Sequence, residues 1–330
     1  MQKITRRTLL GTLAGMAFAT MLPAQIAIAS QTTYPNKSIR MVIPGPPGGA
    51  TDIITRLVSA ELSKELGQTV WVDNKPGASA TIGNNIVAKS DPDGYTLLLT
   101  FTAIVQAPWL YKNIPYDGLK DLIPITQLAR SADLFLVHKD LNVNTLEEFI
   151  ELAHKNPDKY AYGTYGNGTS SHIHGEQFKR VKNIEMMHIP YRGASPALQA
   201  LLAGDLNAAF IDITTMTAYL DSDKFKILAV TGSDRLSTLP NVPTFTEMGI
   251  EGFTSNGWLG IFAPANTNPE MVSFISKKLD KVMGLPAVQQ RFKDFGLRQV
   301  RNTPQEFKSI LLKDYENYGK IIKAANLRID

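Results

Sequence analysis

Short apolar segments with strand character alternate with amphipathic helical segments along most of this 330-residue chain, and this alternation restricts its fold more than any other feature. In residues 38–44, Ile39, Met41 and Ile43 alternate with Arg40 and Val42, which is typical of a strand, and a helix with one apolar face begins near Thr51. Residues 95–99 form a continuous apolar run, as expected of a buried parallel strand. The same order recurs after residue 133. It predicts an α/β fold with parallel sheets, and the length suits about two domains.

Capping residues mark several helix starts. Residues 145–148 read T-L-E-E, which predicts a capping box. Ser195 and Pro196 predict an N-cap followed by a proline in the first helical turn. Prolines directly after Asn268 and Thr303 indicate two further helices near the C-terminus.

Residues 1–29 have the order of a signal peptide. Three basic residues precede an apolar run over residues 9–22, and a small-residue A-x-A site ends at Ala29. The run is shorter than the roughly 20 residues that span a bilayer, so we expect export to the periplasm with cleavage near Ala29; an uncleaved membrane anchor is the alternative. Residues 5–10 also resemble a twin-arginine motif, and the sequence leaves the export route open.

The composition excludes several classes of protein. The chain has no cysteine, which excludes disulfide scaffolds, zinc–thiolate sites, iron–sulfur sites and cysteine nucleophiles. Hydrophobic residues make up 44% and charged residues 19%, which excludes a disordered chain. The leader carries three of the 34 basic residues and none of the 30 acidic ones, so the remainder has a net formal charge of +1. That balance does not favour nucleic-acid binding.

The first candidate loop is the glycine- and proline-rich segment 44–51, which joins a predicted strand to a helix. Glycine lets a ligand approach the backbone, and the first turn of a helix has unpaired N–H groups that favour an anion. The segment has neither the P-loop order nor the dinucleotide-binding order of glycines, so we expect no nucleotide cofactor. A purely structural turn is the alternative.

The second candidate loop, residues 165–171, also leads from a predicted strand into a helix. It offers glycines, hydroxyls and backbone amides to an anion. The alternative role is ordinary N-capping of the helix by Thr169 or Ser170.

A catalytic interpretation of this region has little support. A hydrolase triad would draw on Ser170, Ser171, His172, His174 and Asp212. The pattern G-x-S-x-G is absent, and a histidine one or two residues from the serine is poorly placed to act as its base. His172 and His174 point to different sides of a helix, which disfavours a metal site. We expect no enzyme activity and no metal, and we interpret these histidines as packing or surface residues.

Three charged residues lie near the candidate loops and are candidates to contact a ligand: Asp52, Arg192 and Asp212. Each also has a structural alternative. An acid in the first turn of a helix complements the helix dipole, and a surface arginine commonly pairs with a carboxylate.

Several short motifs follow one another from about Tyr34 to the C-terminus. In the first half they are P-P-G-G-A-T-D at 46–52, D-N-K-P-G-A at 73–78 and P-D-G-Y-T at 92–96. Further along they are G-N-G-T-S-S-H at 166–172, P-Y-R-G at 190–193, L-A-G at 202–204 and L-P-N-V-P-T at 239–244. In this combination they resemble the substrate-binding proteins of tripartite tricarboxylate transporters, also called Bug receptors.

That resemblance implies the type II periplasmic binding protein fold, in which two α/β lobes joined by two hinge crossings close around a ligand cleft. Applied to this chain, lobe 1 comprises residues 34–131 and 259–330, and lobe 2 comprises residues 132–258. The crossings are expected near residues 130–135 and 257–261. Ser79 and Ala80 stand where a further glycine is usual in the family, a departure that bears on the packing of the lobes.

The resemblance also implies that loops of both lobes hold a carboxylate through backbone amides, hydroxyls and ordered waters. From lobe 1 we expect Pro47, Gly48, Gly49, Thr51, Asp52, Thr100 and Thr102 to contact it. From lobe 2 we expect Asn167, Gly168, Thr169, Ser170, Arg192, Gly193 and Asp212.

The leading hypothesis is an extracytoplasmic solute-binding protein that captures a small carboxylate by lobe closure. It would deliver the carboxylate to the membrane permease subunits of a tripartite tricarboxylate transporter. We expect a monomer without cofactor, metal or nucleic-acid partner. The alternatives are an exported α/β hydrolase or transferase, and a ligand-sensing partner of a membrane sensor kinase.

Overall fold

The structure, a computed structural model, describes residues 34–48, 50–254 and 257–329. The predicted signal peptide, residues 1–29, lies outside the described residues. Within the described part, no helix has both the length and the apolar character needed to cross a membrane.

Eleven strands occur in the described residues. They are β1 (Ile39–Ile43), β2 (Val70–Asn74), β3 (Thr96–Phe101), β4 (Leu122–Ser131), β5 (Asp133–His138), β6 (Ala161–Thr164), β7 (Met187–Pro190), β8 (Ala208–Asp212), β9 (Phe225–Val230), β10 (Gly257–Pro264) and β11 (Arg298–Gln299).

Ten α-helices connect or follow these strands in the same ranges. They are α1 (Ala50–Leu66), α2 (Thr81–Ala88), α3 (Ala103–Leu110), α4 (Leu146–Lys155), α5 (Ser170–Lys182), α6 (Ala194–Ala203), α7 (Ile213–Met216), α8 (Pro269–Met283), α9 (Pro286–Asp294) and α10 (Pro304–Ala324).

The strands form two separate sheets. The first has the order β2-β1-β3-β10-β4-β11, and the second has the order β7-β6-β8-β5-β9. The chain therefore leaves the first sheet after β4, builds the whole second sheet and returns at β10. We call the parts built on the first and second sheets lobe 1 and lobe 2. This is the two-lobe α/β fold that the sequence predicts, while the exact limits of the lobes stay a prediction.

Both faces of each sheet are buried, which explains the apolar runs in the sequence. In β1, Met41 joins a core with residues of α1, α8 and α9, whereas its neighbour Val42 joins a core with residues of α3 and α10 on the opposite face. In β5, Phe135 and Leu134 enter two different cores in the same way. Alternate residues of one strand thus support two layers of helices.

The expectation of parallel sheets is wrong for one central strand in each lobe. β10 runs antiparallel to β3 and β4, and β5 runs antiparallel to β8 and β9. These are the strands by which the chain enters a sheet from the other lobe. A strand that starts at the junction between lobes must run away from it, against the neighbours that end there.

Local hydrogen bonding confirms Thr145 as the N-cap of α4 and shifts the predicted start of α6. Thr145 Oγ1 accepts from Glu148 N–H (3.1 Å), as a capping box requires. The Glu148 carboxylate accepts from Asn144 N–H (2.6 Å), whereas the predicted box requires it to accept from Thr145 N–H. The prediction of Ser195 as an N-cap is wrong. α6 begins at Ala194, because Gly193 (φ 116°) makes the turn into the helix.

Close packing of β10 against α10 depends on a residue without a side chain. A Cβ added at Gly260 would lie 2.3 Å from Cζ of Phe307, well inside van der Waals contact. We predict that Gly260→Ala lowers the free energy of unfolding by about 1–3 kcal/mol, because the ring must move within a packed core. Denaturant unfolding followed by circular dichroism measures this change.

Gly257→Ala in the same strand is the matched control. There the nearest atom to an added Cβ is Ser131 O at 3.4 Å, an ordinary contact. We expect this variant to stay within about 0.5 kcal/mol of the original protein. Equal destabilisation by both substitutions would contradict the role given to Phe307.

Candidate functional site

The two candidate loops open toward the junction between the lobes. β4 ends at the junction. β10 is antiparallel to both β4 and β3, and β3 is parallel to β1, so the carboxyl end of β1 also faces the junction. In lobe 2, β5 starts at the junction, and β8 and β6 therefore end there. β1 leads through the first candidate loop into α1, and β6 leads through the second into α5. Both lobes thus present strand–loop–helix connections, the usual ligand-binding edge of α/β proteins.

The carboxylate of Asp52 holds the first candidate loop in shape. It accepts hydrogen bonds from Gly48 N–H (2.9 Å), Arg56 Nε (2.9 Å) and Asn74 Nδ2 (3.0 Å). Asn74 Nδ2 also donates to Gly45 O (3.0 Å). Burial disfavours the charged form of Asp52, but these hydrogen bonds and the Arg56 charge outweigh it and keep the pKa of the carboxyl below its usual range.

The other predicted residues of this loop differ in exposure. Pro47 and Gly48 are exposed, Thr51 is half-buried, and Gly49 lies outside the described residues. The Gly48 N–H is already bonded to Asp52. Contact of these residues with a ligand stays a prediction.

The second candidate loop is braced from within. Thr169 is the N-cap residue of α5, but its hydroxyl donates to Gly166 O (2.7 Å) and lies 2.9 Å from Ser171 Oγ instead of capping the helix. Gly168 N–H donates to Nδ1 of His172 (3.1 Å). Thr169 therefore does not fill the capping role considered as an alternative. The first-turn N–H groups of α5 have no side-chain cap from it, and their contact with an anion stays a prediction.

The second candidate loop also touches lobe 1, and we call this contact the seam. Ser79 Oγ donates to the carbonyl of Asn167 (3.2 Å). Across the same contact, Gln106 Nε2 donates to Ser170 Oγ (2.9 Å), and both of these residues are buried. The loop thus forms part of the contact between lobes.

Gly168 lets the chain approach lobe 1 at the seam. An added Cβ there would lie 2.9 Å from Leu110 Cδ1 and 2.7 Å from Ile329 Cδ1. Its φ of 69° is also a left-handed conformation that favours glycine. Both the backbone conformation and the close approach explain glycine at this position.

Residues 78–83 lie next to both candidate loops. Gly83 in α2 lies against Pro44, whose Cα would be 3.0 Å from an added Cβ. Ser79, in the same segment, bonds to Asn167. The loops of the two lobes therefore border one short piece of lobe 1.

Thr100 and Thr102 are buried at the carboxyl end of β3. Thr102 Oγ1 accepts from Trp258 N–H (2.9 Å) and so joins β3 to β10. No described residue hydrogen-bonds to the Thr100 hydroxyl. A ligand contact by either hydroxyl stays a prediction.

Arg192 and Gly193 adjoin the second candidate loop. Tyr191 N–H donates to Thr164 O (2.9 Å), and Tyr191 O lies 3.6 Å from the Cβ position of Gly166. Arg192 follows directly and is exposed, and Gly193 begins the turn into α6. The structure thus places an exposed arginine beside the second candidate loop, and its contact with a ligand stays a prediction.

Asp212 ends β8 at the same edge. Its carboxylate accepts from Thr215 N–H (3.0 Å) and Thr215 Oγ1 (2.8 Å), which caps the short helix α7. It lies opposite Asp133 in the strand register. Burial is the main reason that the pKa of Asp212 is raised, and the charge of Asp133 adds to it.

Sequence analysis missed a buried acid–histidine pair beside this edge. Asp133 Oδ2 lies 2.8 Å from Nδ1 of His174, and the Tyr165 hydroxyl donates to Asp133 Oδ1 (3.1 Å). Burial and the Asp133 charge raise the pKa of Tyr165. An acid at the start of an otherwise apolar strand is the signal that could have indicated such a pair, because a buried carboxylate needs partners.

The residues considered for a hydrolase triad have other partners. Ser171 Oγ accepts from Tyr165 N–H (3.2 Å), His172 Nδ1 accepts from Gly168, and Asp212 caps α7. Among the described residues, no hydrogen bond joins one of these serines to one of these histidines. No cluster of three or more metal-ligating side chains occurs in the same ranges.

Two α/β lobes joined at a junction, with strand–loop–helix connections opening toward it, define a solute-binding protein of the periplasmic type. The family model described as tripartite tricarboxylate transporter family receptor matches residues 54–327. The chain belongs to this family of periplasmic receptors, and it is a solute-binding receptor rather than an enzyme.

Relatives agree over nearly the whole length. A protein of Pseudomonas sp. strain P51, named UPF0065 protein in tcbD-tcbE intergenic region, is 32% identical over 94% of this chain and 92% of its own. The solved structure of the periplasmic binding protein BugD is 32% identical, with a TM-score of 0.81 over 90% of this chain and 100% of that one. The R. palustris protein Rpa4515, solved with adipate, is 28% identical, with a TM-score of 0.83 over the same shares.

We predict that Asp52→Ala lowers the free energy of unfolding by about 2 kcal/mol, because three donors lose a charged acceptor. The folded protein keeps the pKa of Asp52 low, so its contribution is full above about pH 4 and is lost as the pH falls through the folded pKa. Urea unfolding at pH 7 and below pH 4 measures both effects.

Glu61→Ala on the same helix is the control. Glu61 pairs only with Lys64 at the surface among the described residues, so its loss should change stability by less than about 1 kcal/mol. A difference between Asp52→Ala and the original protein that persists unchanged well below pH 4 would contradict the role assigned to the ionised carboxylate.

Proposed function

We propose that this protein captures a small carboxylate between its lobes. The observation that carries the proposal is that α5 starts without a side-chain cap from Thr169 while its loop forms part of the seam. A carboxylate bound at this helix start would be close to groups of both lobes. Because it would contact the closed form more extensively than the open form, it would favour closure.

Backbone amides, hydroxyls and water would supply most of the binding. A helix N-terminus contributes roughly 0.3–1 kcal/mol per interaction, and hydrogen bonds to a charged group contribute about 1.5–3 kcal/mol each. A few of these together reach the ~8 kcal/mol that corresponds to micromolar affinity, after the costs of association. Arg192 would add a charge-assisted bond from the edge of the loop.

We further propose delivery of the carboxylate to the membrane subunits of a tripartite tricarboxylate transporter. Membership of the receptor family supports this partner, and the adipate in the R. palustris relative supports a carboxylate ligand. We propose that the protein acts as a monomer in the periplasm after cleavage near Ala29. The order of charge, apolar run and small-residue site in residues 1–29 supports export.

Calorimetric titration against malate, adipate, citrate and benzoate tests the proposal. We expect saturable binding of at least one of them with a dissociation constant in the micromolar range. Adipamide, which has the length of adipate without its charge, is the control and should not bind. Absence of saturable binding across the four acids would overturn the proposal.

We predict that Arg192→Gln weakens binding of the tightest acid of that panel by about tenfold, because one charge-assisted hydrogen bond is lost. Arg180→Gln is the matched control, since Arg180 is an exposed arginine on α5 that bonds to Gln177. Titration of both variants measures the difference. Equal affinities would remove Arg192 from the binding site.

A further inference from the structure

One peptide group links the two lobes at the seam. Its carbonyl, on Asn167, accepts from Ser79 Oγ of lobe 1, and its N–H, on Gly168, donates to Nδ1 of His172 in lobe 2. Tyr111 OH lies 2.6 Å from Ser79 Oγ, and it is the donor because the Ser79 hydrogen is directed to Asn167. A hydrogen-bonded chain thus runs in one direction from Tyr111 of lobe 1 to His172 of lobe 2.

This chain requires a neutral His172. A backbone N–H can only donate, so Nδ1 of His172 must carry a lone pair, and the ring proton lies on Nε2. Protonation of Nδ1 would turn it into a donor that faces the Gly168 N–H, so neither N–H would have an acceptor and the bond to Gly168 would break. Because Gly168 and Asn167 share the peptide group, the break would also disturb the bond to Ser79.

The surroundings of His172 favour the neutral ring. It is buried, and it stacks on His188 from β7 with ring centroids 4.0 Å apart and planes inclined by 10°. Burial lowers the pKa of His172. Burial also lowers the pKa of His188 to about 3, and the repulsion between two protonated rings and the charge of Lys179 add to this. On α5, Glu176 attracts a proton and Lys179 repels it. From β6, Tyr162 donates to Glu176 (2.5 Å).

We propose that His172 is a positioning residue that keeps the seam closed while neutral and opens it when protonated. The closed form binds fewer protons than the open form, so closure is favoured above the ordinary histidine pKa of about 6.5 and weakens as the pH falls below it. This response belongs to the lobes themselves and goes beyond the proposed capture of a carboxylate. A fall in pH then favours opening of the lobes and release of the bound carboxylate.

Ser79 supplies the lobe 1 side of this device. Its φ of 48° is a left-handed conformation that is strained for a residue with a side chain. Glycine would adopt it freely but could not donate to Asn167. The hydroxyl at the seam is therefore retained in spite of backbone strain.

Distance measurements between two spin labels test the proposal without any carboxylate, so the result is independent of the proposed function. The chain has no cysteine, so Glu185→Cys in lobe 2 and Lys308→Cys in lobe 1 would be labelled uniquely. Both positions are exposed. Double electron–electron resonance at pH 7.5 and pH 5.0 then gives the ratio of open to closed molecules.

We expect this ratio to rise about three- to tenfold from pH 7.5 to pH 5.0, as the loss of a hydrogen bond implies. In His172→Asn the amide oxygen takes the place of Nδ1 and does not titrate, so the ratio should stay low at both pH values. In His172→Phe the ring remains but the acceptor is lost, so the ratio should be high at both. Ser79→Gly should raise the ratio at pH 7.5.

His154→Asn is the control, because it removes an exposed histidine of α4 and should leave the pH response unchanged. Two results would overturn the proposal. One is a distance distribution that is the same at pH 7.5 and pH 5.0 in the labelled protein with His172 and Ser79 unchanged. The other is a His172→Asn variant that opens at pH 5.0 as the parent does.

Discussion

The passage of the chain between its two sheets determines the rest of the architecture. β4 ends at Ser131 and β5 begins at Asp133, so a single residue separates the sheets. The link is tied to lobe 2, because Ile213 N–H donates to Ala132 O and Asp133 N–H donates to Thr231 Oγ1. With the entering strands β10 and β5 fixed in this direction, the strands that pair with them in antiparallel fashion, β3, β4, β8 and β9, must end at the junction. The glycine-rich loops of both lobes consequently open there, which is the arrangement that a closing receptor requires.

The seam combines this geometry with local hydrogen bonding. Thr169 and Ser171 stabilise the second candidate loop within lobe 2, while Ser79 and Gln106 reach it from lobe 1. Each bond across the seam replaces one that the same group could make to water, so closure gains little from any one of them. Ile173 of α5 also lies in one apolar cluster with residues of α3 and α10, so the contact between the lobes includes apolar burial. In the proposals above, a bound anion or a proton on His172 shifts the balance between the two forms.

Features that depend on neighbours in sequence could be predicted, and features that depend on distant residues could not. The glycine loops and the start of α10 at Thr303 were predictable because their hydrogen bonds stay within a few residues. β4 and β10 were missed because their partner strands are distant in the sequence and the register between these two strands contains irregularities. The pairing of Asp133 with His174 spans 41 residues, and that of Ser79 with Asn167 spans 88. The departure at Ser79 was visible in the sequence, but its partner was not.

The acids near the junction are compatible with binding an anion because each has partners within its own lobe. Asp52 is bonded by Arg56 and Asn74, Asp212 by Thr215, and Asp133 by His174 and Tyr165. A carboxylate whose oxygens already accept hydrogen bonds holds its loop in shape, and it repels an anionic ligand less than a carboxylate without such partners does. In the proposed function, the backbone N–H groups at the start of α5 would face the anion, since Thr169 does not cap them. A site of that kind selects for negative charge through the direction of its amides and requires no buried lysine or arginine.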